Sequence, residues 1–131
     1  MSLVPVVRCR SIERSLAFYT RVLDFQLDSR WPAQGDPAYA VLRRNHAELH
    51  LSSHAGDGAF GQAVVVPVTD LARAFATFVA NGLDVAGKPQ SPVHCAPVAQ
   101  TWGTTEFYAD DPDGNTMRLV QVHREQDGSS R

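Results

Sequence analysis

Glu48 and His50 stand two residues apart in Ala47-Glu48-Leu49-His50-Leu51, a run that reads as a strand. Side chains along a strand alternate between faces, so a carboxylate and an imidazole share one face there. Either residue could serve as a general base without a cofactor. The other histidines are dispersed, with His46 in a turn, His54 after the strand, His94 in a proline-rich stretch and His123 near the end. They read as surface or supporting side chains, not as a metal cage. Cys95 follows His94, but neighbours on an extended chain point to opposite faces, which argues against mutual activation. Trp102, held between proline-rich chain and a strand, offers a large flat face at low entropy cost. It suits stacking on planar heteroaromatic ligands, although a core anchor for the last hairpin is the competing role. No glycine loop cradles phosphate, since Gly56, Gly58 and Gly61 precede a strand and not a helix. No Gly-x-Ser-x-Gly elbow is present.

The elements that must position these groups follow from periodicity. Ile12, Leu16, Tyr19 and Leu23 form one stripe of an amphipathic helix, with Ser11 as N-cap and Glu13 in the first turn. Leu3 to Arg10 reads as a strand before it, at a sheet edge because Pro5 lacks an amide donor. Strands are expected at Phe25 to Arg30, Ala38 to Arg44 and Ala47 to Ser52, the last two joined by Arg44-Asn45-His46. The order then repeats: a strand Ala63 to Val68, a cap at Thr69-Asp70, and a helix stripe of Leu71, Ala74, Phe75, Phe78 and Val79 ended by Gly82. Leu71 falls on Ile12, Phe75 on Leu16 and Phe78 on Tyr19, a period of about 59 residues. Val85 continues the second half into a proline-punctuated stretch from Lys88 to Gly103. Strands Thr104 to Ala109 and Thr116 to Val122 flank the turn Asp110-Asp111-Pro112-Asp113-Gly114-Asn115. The expected organisation is one α+β domain: module one over about 3–54, a linker over 55–61, module two over about 62–123 and a flexible tail over 124–131.

The 131 residues suit one domain, and 44% hydrophobic with 20% charged residues is an ordinary globular composition. A chain of this size buries roughly 65–70% of its unfolded surface, enough for a core without staples. The net charge of −2, with no basic stripe, argues against a nucleic-acid partner. Apolar runs such as Ala63 to Val68 are too short for a membrane span. Met1-Ser2-Leu3-Val4-Pro5 lacks a leader pattern, and Cys9 and Cys95 have no metal-ligand spacing, so a reduced cytoplasmic setting is expected.

Ser11-Ile12-Glu13-Arg14-Ser15-Leu16-Ala17-Phe18-Tyr19, with Val22-Leu23-Asp24-Phe25, resembles the first helix of the vicinal oxygen chelate superfamily. Phe107-Tyr108-Ala109-Asp110-Asp111-Pro112-Asp113-Gly114-Asn115 resembles its closing hairpin. That superfamily includes glyoxalase I, extradiol dioxygenases, and fosfomycin- and bleomycin-resistance proteins, and the likeness runs from about Leu3 to Val122. The stretch Val93 to Gly103, with a Trp-Gly step before Glu106-Phe107, is most similar to the bleomycin-resistance branch. The resemblance implies two βαβββ modules whose curved mixed sheets surround a cleft, and a homodimer.

Metal-dependent members take one ligand from the first and one from the fourth strand of each module. Carried over, these positions are Val4, Glu48, Ala63 and Arg118, and only Glu48 offers a donor. The resemblance thus implies no metal and no cofactor here. A Glu48–Arg118 ion pair in place of the metal is one expectation; two solvated side chains is the other.

The resemblance makes Trp102 the first candidate for ligand contact, joined by Tyr39, Trp31 and Phe60 at the cleft rim and by Glu48, His50, Glu106 and Arg118. The implied function is metal-independent sequestration of a small molecule, a bleomycin-type antibiotic or another planar aromatic compound, as in antibiotic resistance. Catalysis is left open, leaning towards none. The alternatives are a metalloenzyme (lyase, isomerase or dioxygenase) with a rearranged ligand set, and a cofactor-free enzyme using Glu48 or a histidine as base. Bleomycins are cationic, whereas Arg8, Arg10, Arg43, Arg44 and Arg118 lie on expected strands or turns. A neutral or anionic aromatic ligand is at least as well matched.

Overall fold

The computed structural model describes residues 1–123. The tail expected from residue 124 lies outside them. The described chain is α+β, with two four-stranded mixed sheets that repeat one order, and it forms two compact units.

The first unit comprises Met1–Val64 together with Asp110–Thr116. It holds β1 (Val6–Arg8), α1 (Ile12–Ala17), a π-helical turn (Phe18–Val22), β2 (Gln26–Trp31), β3 (Tyr39–Arg44) and β4 (Ala47–Ser52), in sheet order β1-β4-β3-β2. Strand β1 is shorter than the expected Leu3 to Arg10. Pro5 donates no amide hydrogen, so the ladder begins after it, while the Pro5 carbonyl still accepts from His50 N at 3.1 Å. As an edge strand it pairs in parallel with β4, Val7 opposite Leu51. Ser11 caps α1 through its hydroxyl, which accepts from Arg14 N at 3.2 Å. The stripe Ile12, Leu16, Tyr19 and Leu23 is buried, and so are Val7, Ala40, Leu42, Leu49 and Leu51. Alternation then sends Arg8, Tyr39, Arg43, Glu48 and His50 to the other face of the sheet.

Segment 110–116 is bound to this unit by a polar knot. Asn115 is fully buried; its Nδ2 donates to Arg8 O at 2.9 Å and to Asp111 Oδ2 at 3.0 Å, and its Oδ1 accepts from Gly61 N and Gln62 N. The Tyr19 hydroxyl donates to Asp111 Oδ2 at 2.8 Å. Gly58, at φ +69, lies where a Cβ would come within 3.0 Å of the Val6 carbonyl, so the loop can pass this edge only as glycine.

The second unit, Val65–Ala109 and Met117 onward, draws on β5 (Ala63–Pro67), α2 (Leu71–Ala80), a 3₁₀ turn (Pro92–His94), β6 (Val98–Ala99), β7 (Thr104–Asp110) and β8 (Thr116–Val122). Its sheet order, β5-β8-β7-β6, repeats that of the first unit. Asp70 caps α2 by accepting from Arg73 N at 3.1 Å, and Gly82, at φ +99, follows its end. Leu71, Ala74 and Phe78 are buried, and Phe75 meets Phe107 edge-to-face at 4.8 Å. Val79, expected in the stripe, is 39% exposed, because it sits past the side of the helix that faces the sheet. The proline-punctuated stretch supplies the 3₁₀ turn and the two-residue β6. No helix among the described residues is long and apolar enough to cross a membrane.

Candidate functional site

The candidate residues fall into two polar clusters, one on each sheet. In the first, Glu48 takes Arg43 on one oxygen (Nη1 to Oε1, 3.0 Å) and His50 on the other (Nε2 to Oε2, 2.6 Å). Strand register produces both contacts, since Arg43 lies opposite Glu48 across the hairpin and His50 lies two residues along. His50 Nδ1 is 2.6 Å from the Tyr39 hydroxyl, with the two rings edge-to-face at 5.3 Å. The His50 hydrogen bond, followed by the Arg43 charge, holds the Glu48 carboxyl below the usual glutamate range against the opposing pull of desolvation. Desolvation, with the charges of Asp57 and Glu48, pushes the Tyr39 phenol up.

Directly across from Tyr39 on β2 is Trp31, 59% exposed. Phe60, in the loop after β4, lies under two guanidinium groups, Arg8 at 4.4 Å and Arg10 at 4.0 Å from the ring centroid. Arg10 is also paired with Asp113 at 3.0 Å, whereas Arg8 makes no ion pair among the described residues.

The second cluster is built around Glu106 on β7. Its side chain is buried, and three donors occupy its oxygens: Tyr108 Oη on Oε1 at 2.8 Å, Thr104 Oγ1 on Oε2 at 2.6 Å, and Trp102 Nε1 on Oε2 at 3.1 Å. Led by Thr104 and then Tyr108, Trp102 and the charge of Arg118, these keep the carboxyl below its usual range although burial pulls the other way. Thr104, Glu106 and Tyr108 share a face by alternation, and Arg118 on β8 lays its guanidinium 5.0 Å over the Tyr108 ring. Trp102 is 67% exposed and is therefore no core anchor.

Sequence reasoning put Glu48 and His50 on one strand face and named Tyr39 separately, and the first sheet joins the three in a single chain. It named Trp102 and Glu106, which the second sheet joins. It missed Arg43, Thr104 and Tyr108. Within the first unit Glu48 is bonded to Arg43 and His50, and within the second Arg118 lies over the Tyr108 ring. Register sets a cation opposite Glu48 on its own hairpin.

The positions that the resemblance marks for a metal do not suit one. Val4 and Ala63 carry no donor atom, Arg118 is a fixed cation, and Glu48 is committed to Arg43 and His50. Among the described residues no three His, Cys, Asp or Glu side chains are grouped to hold a metal ion.

Comparison with known proteins agrees with this architecture. The chain is 28% identical over 119 residues, 89% of each chain, to a bleomycin resistance protein from Klebsiella pneumoniae. It superposes on the bleomycin resistance determinant encoded on transposon Tn5 with a TM-score of 0.72 and 26% identity, covering 95% of this chain and 99% of that one. A bleomycin-binding protein complexed with bleomycin is similar in fold, with a TM-score of 0.73 at 23% identity over 94% of this chain and 99% of that one. Residues 3–119 match the Glyoxalase/Bleomycin resistance protein/Dioxygenase superfamily, and the chain belongs to that family.

Proposed function

We propose that this protein binds a small planar aromatic molecule and acts by sequestering it, without a metal and as a homodimer. A bleomycin-type antibiotic is the first candidate ligand, because the relatives above include a bleomycin resistance protein and a bleomycin-binding protein. The observation that carries the reading is Trp102, whose indole edge is tied to a buried carboxylate while most of its surface stays open to solvent. A side chain fixed at its edge offers its face without paying for rotamer ordering at binding, and each stack adds about 0.5–1.5 kcal/mol beyond area burial. Glu106 acts through Trp102, since its own oxygens already have donors.

Charge bears on the choice of ligand. Glu48 is offset by Arg43, and Arg8 and Arg118 are cations without an ion pair among the described residues. A neutral or anionic aromatic compound therefore competes with a cationic drug for this role. Calorimetry with a metal-free bleomycin and with uncharged planar aromatics, in chelator-treated buffer, tests the proposal. Saturable binding that Trp102→Ala removes is the expected result. Binding that appears only after a divalent metal is added to the protein contradicts it, and sedimentation at the same concentrations checks the dimer.

A further inference from the structure

Among the described residues, the Tyr39 hydroxyl has one hydrogen-bond partner, His50 Nδ1 at 2.6 Å, and His50 Nε2 is held 2.6 Å from Glu48 Oε2. An ionised carboxylate can only accept, so the Nε2 proton points at Glu48; with the ring carrying that proton alone, Nδ1 accepts the Tyr39 proton. The chain of bonds thus runs from hydroxyl to imidazole to carboxylate. Its free end is the Tyr39 oxygen, which keeps lone-pair capacity for one more donor.

We propose that Tyr39, His50 and Glu48 form a proton-accepting site for a ligand hydroxyl of phenol-like acidity. This rests on the reading of the chain as a small-molecule binder and names a ligand group that the first sheet can take. The ligand O–H bond breaks and its proton passes to Tyr39 Oη while the original Tyr39 proton passes to His50 Nδ1. The products are a ligand oxyanion, hydrogen-bonded by the re-formed Tyr39 hydroxyl, and an imidazolium whose Nε2–H remains on Glu48. No electrons are exchanged, and release of the ligand runs both transfers backward.

The surroundings suit each part. Arg43 occupies Glu48 Oε1, which leaves Oε2 to His50 and keeps a negative charge beside the imidazolium. Asp57, which accepts from the Ser52 hydroxyl at 2.8 Å, adds negative charge near Tyr39. That charge opposes a resting Tyr39 phenolate, so Tyr39 conducts the proton and His50 stores it. Across the sheet His50 faces Val6 on β1 and Val41 on β3, both uncharged. The cations of this face, Arg43 and Arg8, are held respectively by Glu48 and against the Phe60 ring. Trp31, opposite Tyr39 in the ladder and 59% exposed, supplies an aromatic neighbour for the ring that carries the hydroxyl.

4-Nitrophenol tests this directly, because its ionised form is yellow. The full chain is titrated with it about one pH unit below the pKa of the free phenol, where the neutral form dominates. The nitrophenolate band is expected to grow as the complex forms. In His50→Gln, the phenol binds and the band is lost; in Glu48→Gln the ratio of ionised to neutral bound phenol falls by about tenfold, the equivalent of one pKa unit. Circular dichroism of both variants confirms that they remain folded. Binding without a band in the wild type, a band that survives His50→Gln, or no binding of the phenol overturns the proposal. A parallel bleomycin titration followed by Trp102 fluorescence separates that outcome from failure of the binding function itself, since stacking on Trp102 does not require the relay.

Discussion

The indole N–H of Trp102 donates to Oε2 of the buried Glu106 at 3.1 Å, while 67% of the Trp102 surface remains exposed. One edge of the ring is fixed and its faces are free. Thr104 and Tyr108 complete the hold on the same carboxylate, so the position of the ring is set by a small network on β7.

Replacing Glu106 by Gln tests that network through pH. An amide has one acceptor oxygen where the carboxylate has two, so the three donors can no longer all be satisfied. The folded pKa of Glu106 is lowered, so the unfolded chain takes up the proton first. The stability the carboxylate contributes is present above the usual glutamate value, about 4.3, and is lost as pH falls through the lower folded value. Denaturant unfolding is expected to show wild type more stable than Glu106→Gln near neutrality, with the gap closing below that value. A gap that persists unchanged into acid contradicts this account.

Asn115 is the centre of the knot that ties segment 110–116 to the first unit, and Asn115→Ala is expected to cost about 2–4 kcal/mol in urea unfolding. It removes bonds to Arg8, Asp111, Gly61 and Gln62 and leaves buried partners unpaired. Tyr19→Phe, which removes a single hydroxyl from Asp111, is expected to cost about 1–2 kcal/mol. Equal losses in the two variants contradict a knot centred on Asn115.

The cysteines are expected to react at different rates. Cys9 is buried, and desolvation pushes its thiol up to about 11 despite a hydrogen bond with Ser15. Cys95 is partly exposed. A thiol reagent at pH about 8 should modify Cys95 first and reach Cys9 only on unfolding, because the thiolate is the reacting form. Mass spectrometry after partial reaction identifies which residue carries the label.

Much of the fold was legible because periodicity is set by what must be buried. The stripe Ile12, Leu16, Tyr19, Leu23 and its echo in Leu71, Ala74 and Phe78 mark both helices, and Ser11 and Asp70 mark where they start. The short β6, Val98–Ala99, was not legible, because it lies among prolines whose fixed φ carries no alternation to read. The candidate side chains were legible as residue types, and their partners were not. The two-residue turn Asn45-His46 fixes Arg43 opposite Glu48, a consequence that a three-residue reading of the turn conceals. Thr104, Glu106 and Tyr108 alternate as clearly as Glu48 and His50 do, but a fully bonded carboxylate leaves no trace in the sequence.

The most direct measurement of the central claim is ligand quenching of a protein with one tryptophan. With Trp31→Phe in place, the remaining emission comes from Trp102, and a bleomycin and a set of uncharged planar aromatics are titrated against it. Saturable quenching by at least one of them, weakened about tenfold or more when Glu106→Gln frees the indole edge, is the predicted result, equivalent to about 1.4 kcal/mol. A ligand that binds with equal affinity whether Trp102 is present, replaced by Ala or released from Glu106 contradicts the account.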